Sequence, residues 1–241
     1  MKTKNKDRRD FVKLGAGALF FGTLLGGGAY LAPKLKSQES LLRPPGALEE
    51  KDFLATCIKC GQCVQVCPYH SLSLLDISHG SSVGTPFLDP RERGCYLCDL
   101  FPCVLACPSG SLNHDVTEPH QVEMGIAFLK RPDRCLAMLG QNVTEEDLAL
   151  ILTHSNKNER EAKVLEDLKK FIGKPCTICA DMCPYPEQDK AIAMVQDSSG
   201  KWYPEVRSEC VGCGVCEELC PTKGEAAIVM IPRAKYSEVY G

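Results

Sequence analysis

Apolar positions along the chain come in short blocks, each closed by turn-forming residues. The stretch from Leu14 to Ala32 carries no charge. Farther on, "SLSLLDI" (71–77) and "AAIVMIP" (226–232) have the composition of strands, and "AIAMVQDSSGKWYPEVR" (191–207) predicts a hairpin turning at Asp197–Gly200. Between 141 and 173 the period lengthens. Val164, Leu165, Leu168, Phe171 and Ile172 fall on one helical face. Thr144 is placed to cap a helix with Asp147 three residues later, Asn156 to Asn158 interrupts it, and Gly173 and Pro175 stop it. These signals predict a helical hairpin whose charged outer face is solvated surface. "LLRPPGALEE" (41–50) predicts a short, proline-bearing linker.

These elements are short, and the means of filling an interior are unusual. Among 241 residues aromatics make up 7% and there is one tryptophan, but there are 16 cysteines. Cysteines in such number suit a disulfide framework in small secreted domains, zinc knuckles or iron–sulfur ligation. Sixteen divides by four, which suits either metal reading.

The amino-terminal end bears on the compartment. "DRRDFVKLGAG" places Arg8 and Arg9 just before the uncharged stretch and resembles a twin-arginine export signal. A plain membrane helix behind a basic tail is the competing reading, because the stretch is barely long enough to span a bilayer. Gly27-Gly28-Ala29 offers small residues but no clean cleavage site, so an uncleaved anchor stays open. Residues 1–33 are assigned to this signal or anchor and 34–50 to the linker. Beyond residue 33 the chain has 22 basic against 29 acidic side chains, a net of −7. That sign argues against nucleic acid as a partner.

The cysteines fall into four runs. "CIKCGQCVQVCP" holds Cys57, Cys60, Cys63 and Cys67, and "CVGCGVCEELCP" holds Cys210, Cys213, Cys216 and Cys220. Both match the C-x2-C-x2-C-x3-C-P pattern of iron–sulfur ligation. Two-residue gaps curl the backbone so that three sulfurs face one concavity, and the helix begun there carries the fourth towards a second site. Gly61, Gly212 and Gly214 are expected to let backbone approach the sulfurs. "CYLCDLFPCVLACP" holds Cys95, Cys98, Cys103 and Cys107 with a wider central gap. The third run, "CTICADMCP", has only Cys176, Cys179 and Cys183; by count its missing member is Cys135, and the predicted hairpin returns the chain to it. No C-x-x-C is followed by His, which excludes covalent c-type haem. The histidines have no metal-like spacing; His70 and His114 lie near cysteine runs but read as surface or supporting residues. Trp202 and Tyr203 are expected to cover a cluster or sit in the sheet. No hydrolytic triad, dinucleotide fingerprint or P-loop is found, so the chain reads as an electron-transfer subunit without catalytic residues of its own.

With these motifs in view, the chain resembles the NapG/MauM family of exported ferredoxin-type proteins. The resemblance rests on the twin-arginine signal, "RPPGAL" (43–48), "CIKCGQCVQVCPY" (57–69), "GTPFLDPRERGCYLCDLFPCVLACPSGSL" (84–112) and "RCLAMLG" (134–140). Cys135 matches the family's first cysteine of the third run, and roughly 141–173 is an insertion beside the family pattern. The resemblance implies a periplasmic carrier, reached through the twin-arginine translocase. It would pass electrons from a NapH-type membrane quinol dehydrogenase partner towards periplasmic nitrate reductase or its cytochrome. Other readings are an iron–sulfur subunit of another periplasmic molybdoenzyme or of a methylamine-oxidation pathway, and, in a different class, a non-redox metal-binding scaffold.

The expected fold is α+β, with four 4Fe-4S clusters in two bacterial-type double-cluster ferredoxin modules. The runs pair either as neighbours or nested. Because the first and last runs share regular spacing, and multi-cluster subunits that the chain resembles are built so, nesting is expected. The outer module is then 51–90 with 191–241, the inner one 91–190. The outer sites would be Cys57, Cys60, Cys63 with Cys220, and Cys210, Cys213, Cys216 with Cys67. The inner sites would be Cys95, Cys98, Cys103 with Cys183, and Cys135, Cys176, Cys179 with Cys107.

Overall fold

The computed structural model describes residues 41–153 and 157–241. The twin-arginine signal or anchor expected over 1–33 and the first part of the expected linker lie outside the described residues. Among the described residues no helix is long and apolar enough to cross a membrane. Asp76–Val83 belong to a different compact unit from Ser40–Leu75 and Gly84–Gly241. Within Asp76–Val83, a 3-10 turn over Ile77–Ser82 is capped by the Asp76 carboxylate, which accepts the Ser78 N–H at 2.9 Å.

The larger unit repeats one plan twice. Its first half contains helix α1 (Glu50–Thr56), helix α2 (Gln62–Gln65), strands β1 (Ser73–Leu74) and β2 (Pro86–Phe87), and helix α3 (Pro102–Leu105). β1 and β2 pair antiparallel, and the two ends of the half meet at an Ala47–Leu112 bridge. The second half opens with strand β3 (Gly125–Leu129). It continues through α4 (Leu136–Leu139), α5 (Glu145–Leu152), α6 (Glu159–Lys169), α7 (Ile178–Asp181) and α8 (Gln188–Ala191). Strands β4 (Ile192–Gln196) and β5 (Trp202–Val206), helix α9 (Val215–Glu218), strand β6 (Ile228–Pro232) and helix α10 (Tyr236–Tyr240) complete it. Here β4 and β5 form the inner hairpin, and β3 and β6 are the ends that meet, from Gly125 opposite Pro232 to Leu129 opposite Ile228. Each half therefore has an inner hairpin and closed ends, with a cysteine run on either side of the hairpin.

This plan corrects the nested modules. α2 packs on α3, and α7 packs on α9, so the helices of runs one and two lie together, as do those of runs three and four. Similar spacing in the first and last runs reflects the same local loop, not a shared module. Consecutive segments joined by a short hairpin pack together with little chain to organise between them. The strand expected over 71–77 is also shorter, because Pro86 limits the ladder opposite Leu74.

The helical hairpin forms as α5 and α6. Thr144 and Asp147 make the expected reciprocal cap, and Asn158 caps α6 by accepting the Arg160 and Glu161 N–H groups. At its base Asn142 bridges Pro175, while Val143 exchanges backbone hydrogen bonds with Gly173 and Lys174. Leu148, Ile151 and Leu168 are buried beneath it, each contributing about 2 kcal/mol of burial.

Residues 41–50 are no linker. Leu42 and Arg43 are each 2% exposed. Arg43 lies over the Phe53 ring at 4.8 Å and donates to the Glu50 carboxylate, the Thr85 hydroxyl and the Pro86 carbonyl. Its guanidinium is kept in the interior by these partners, since an unpaired buried charge costs several kcal/mol.

Candidate metal centres

Runs one, two and four begin with a loop that turns tightly before the second cysteine. Lys59, Leu97 and Gly212 occupy this position in runs one, two and four, all left-handed, with φ of 58°, 45° and 69°. The turn brings the first two cysteines round to face the third, which lies on the short helix that follows. At Gly212 the neighbour that excludes a side chain is the backbone of Gly125, so the glycine serves strand packing rather than approach to sulfur. The fourth cysteine lies at the far end of the helix and faces the other cavity of its own half.

The sixteen thiols gather in four quartets. Cys57, Cys60, Cys63 and Cys107 line one cavity; Cys67, Cys95, Cys98 and Cys103 line a second; Cys183, Cys210, Cys213 and Cys216 line a third. Cys135, Cys176 and Cys220 stand together around Cys179, whose thiol burial pushes up and each of these three raises further. Cys135 lies beside the thiols of the third run. The nested partners do not meet: Cys220 lies with run three rather than run one, and Cys67 lies with run two rather than run four. Cys183 lies with run four, and Cys107 with run one.

Burial pushes the thiols up, to about 11 at Cys63, Cys98 and Cys183 and about 12 at Cys103 and Cys176. Neighbouring cysteines of the same quartet add to this at Cys63 and Cys176. Four protonated thiols confined this way would hold their protons, whereas a bound cation takes thiolates and relieves the repulsion. Hydrogen-bond donors wait just beyond the fourth cysteines. The Ser71 N–H donates to Cys67 Sγ at 3.3 Å, the Ala227 N–H to Cys220 Sγ at 3.3 Å, and the Ser111 hydroxyl lies 3.3 Å from Cys107 Sγ. At Cys107 burial is outweighed by Ser111, the Leu112 N–H and Ser109, which bring the thiol down to about 7.

The quartets adjoin one another in succession. Cys63 of the first raises the pKa of Cys103 in the second, Cys95 of the second that of Cys213 in the third, and Cys179 of the fourth that of Cys216 in the third. The two halves are joined between the second and third quartets. Cys95 donates its N–H to the Cys213 carbonyl at 2.7 Å, and Gly94 donates to the buried Glu218 carboxylate at 2.8 Å. Arg91 donates to the carbonyls of Glu217, Cys220, Thr222 and Gly224, closing the loop of run four against run two. Sequence reasoning did not find this latch; its one outward signal is the arginine of "DPRERGC".

The histidines stay outside the quartets. His114 Nε2 is 2.9 Å from the Cys107 carbonyl, and His70 Nδ1 is 2.8 Å from Glu161. Trp202 stands in β5 at the rim of a groove of about 730 Å3 whose wall includes Cys176. Tyr203 lies in the same strand.

A family model described as a 4Fe-4S dicluster domain matches residues 56–111. That span holds runs one and two together, in agreement with their pairing in the fold. The MauM methylamine utilization ferredoxin-type protein of Methylorubrum extorquens is 35% identical over 238 residues, 96% of this chain and 92% of the relative. The chain belongs to the MauM/NapG family of ferredoxin-type proteins. A MauM of Paracoccus denitrificans is 38% identical over 196 residues, covering 80% of this chain and 71% of the relative. The ferredoxin-type protein NapG of Escherichia coli is 31% identical over 231 residues, 93% and 83% respectively. No solved structure matches. As a MauM/NapG protein the chain is a ferredoxin-type iron–sulfur electron-transfer protein, and the 4Fe-4S dicluster match spans its first two cysteine runs.

Proposed function

We propose that all sixteen cysteines are iron ligands and hold four 4Fe-4S clusters, one per quartet, and that electrons pass along them in line. The observation that carries this reading is the unbroken succession of quartets across the Cys95–Cys213 joint. The donor chemistry fits: each quartet offers four soft sulfur donors, and three of the quartets line a cavity. Each cluster, when bound, supplies a one-electron site. The chain's own residues space these sites, bury them and place N–H donors on their sulfurs.

In this reading the protein works in the periplasm, exported folded by the twin-arginine translocase or held by an uncleaved amino-terminal segment. It takes electrons from a NapH-type quinol-oxidising membrane partner. The NapG relative favours periplasmic nitrate reductase or its cytochrome as the destination, and the MauM relatives favour a methylamine-oxidation route. Roughly 141–173 is an insertion within the second module, beside the family pattern. Purification of the complex from membranes, followed by quinol addition, tests the assignment. Reduction of the bound clusters by quinol is expected. Clusters that stay oxidised in the intact complex would overturn it. Replacing Arg8 and Arg9 with Lys is expected to strand loaded protein in the cytoplasm; normal periplasmic accumulation would refute twin-arginine export.

A further inference from the structure

The hairpin of α5 and α6 belongs to the second half and gives no thiol to any quartet, yet α6 grips the first half. Asn158 caps α6 through Oδ1 and also donates from Nδ2 to the Pro68 carbonyl at 2.7 Å, one residue beyond Cys67. Three residues on, Glu161 is 1% exposed. Its carboxylate lies 2.8 Å from His70 Nδ1, accepts the Lys157 N–H, and stands 3.9 Å from Arg93. A carboxylate this deep stays only when paired and hydrogen-bonded.

The segments that Asn158 and Glu161 hold are those that flank the second quartet in the chain. Pro68 and His70 follow Cys67, and Arg93 stands two residues before Cys95. His70 has a φ of 51°, a left-handed conformation uncommon for a residue with a side chain. This short return from run one is therefore kept in place by its outside contacts. Arg93 reaches on to the Glu218 carboxylate of α9 at 3.7 Å. The second half thus takes hold of the first at two places, through α6 and through α9, with Arg93 shared between the two carboxylates.

We propose that α6 is a clasp between the halves: Asn158 and Glu161 are positioning residues that pin Pro68, His70 and Arg93 and so fix the second quartet against the third. The proposal rests on the four-cluster reading above for what the quartets hold. An electron passing from the second centre to the third needs the two kept at a constant approach. The Cys95–Cys213 hydrogen bond is a single contact, about which the halves could pivot. The clasp adds a second fixed point at the Cys67 end of the same quartet, and two separated points remove the pivot.

The test is hydrogen exchange of the full, loaded protein read residue by residue, with electron paramagnetic resonance of the reduced protein as a second readout. Iron is counted first in the wild type, so that a shortfall there strikes the four-cluster reading separately from this one. Asn158→Asp keeps the oxygen that caps α6 and removes the donor to Pro68. Glu161→Gln keeps the size of the side chain and removes its charge. The reporting amides are those of His70, Ser71 and Cys95, bonded to the Cys67 carbonyl, Cys67 Sγ and the Cys213 carbonyl. In each variant they are expected to exchange about tenfold faster, the equilibrium equivalent of one lost buried hydrogen bond. The amides of Val64 and Gln65 should keep their wild-type rates, and the magnetic interaction between the second and third centres should weaken in Glu161→Gln. Tyr240→Phe, which removes a hydrogen bond to the Ala127 carbonyl, should leave all of these values unchanged. Wild-type exchange at the reporting amides in both variants, exchange quickened evenly along the chain, an unweakened interaction in Glu161→Gln, or the same pattern in Tyr240→Phe would each overturn the proposal.

Discussion

The backbone N–H of Cys95 donates to the carbonyl oxygen of Cys213 at 2.7 Å, so the cysteine loops of the two halves touch through their main chains. Gly94 makes this approach attainable. A Cβ at residue 94 would lie 2.5 Å from the Val215 nitrogen and 2.7 Å from the Gly214 carbonyl carbon, neither of which can swing aside.

Gly94→Ala is therefore expected to part the two halves at this joint. Forcing a methyl into such a contact costs about 1–3 kcal/mol. Denaturant unfolding should show the loss in stability. Electron paramagnetic resonance of the fully reduced protein should show weaker magnetic interaction between the second and third centres. Wild-type stability and unchanged interaction would mean that the joint is not where the structure places it.

The pairing of the runs can be read from serine variants. Cys67→Ser should perturb the same centre as Cys95→Ser, and Cys220→Ser the same centre as Cys176→Ser. Cys135→Ala should lose that last centre or convert it to a three-iron form while the others persist. Spectra of the reduced proteins decide this. A Cys67→Ser spectrum matching Cys213→Ser, as nesting requires, would refute the grouping found here. Full cluster content in Cys135→Ala would return that residue to an ordinary buried thiol.

Much of this was legible in the sequence where the controlling interactions are local. The Thr144–Asp147 cap spans three residues, and the β4–β5 turn spans Asp197–Gly200. What escaped is non-local. Spacing describes the loop around three sulfurs and is silent on where the fourth goes, so Cys67, Cys107, Cys183 and Cys220 all lie in other quartets than nesting expects. Glu161 has the look of any charged residue on an outer helical face; only the tertiary approach of His70 and Arg93 makes it a buried anchor. Arg43, beside two prolines, reads as a linker until Glu50, Thr85 and Phe53 close around it.

The Arg43–Glu50 pair makes a pH-dependent contribution. Burial alone would push the Glu50 carboxyl up; the hydrogen bonds and charge of Arg43, joined by Arg233, outweigh it and hold the group below its ordinary value near 4.5. A depressed carboxylate pKa stabilises the fold fully above the unfolded value, and that stability is lost as pH falls through the folded value. Stability should decline on acidification below about 4.5. Glu50→Gln should remove that component and, near neutral pH, cost about 3 kcal/mol by leaving Arg43 buried without its counter-charge. Denaturant midpoints of the two proteins across this range check it; parallel curves would show that Glu50 contributes no linkage.

The most direct test of the account is the iron and acid-labile sulfide content of protein purified without oxygen. Four clusters of four irons predict about sixteen iron and sixteen sulfide per chain. A value near half of that, unchanged after reconstitution, would contradict the four-centre line.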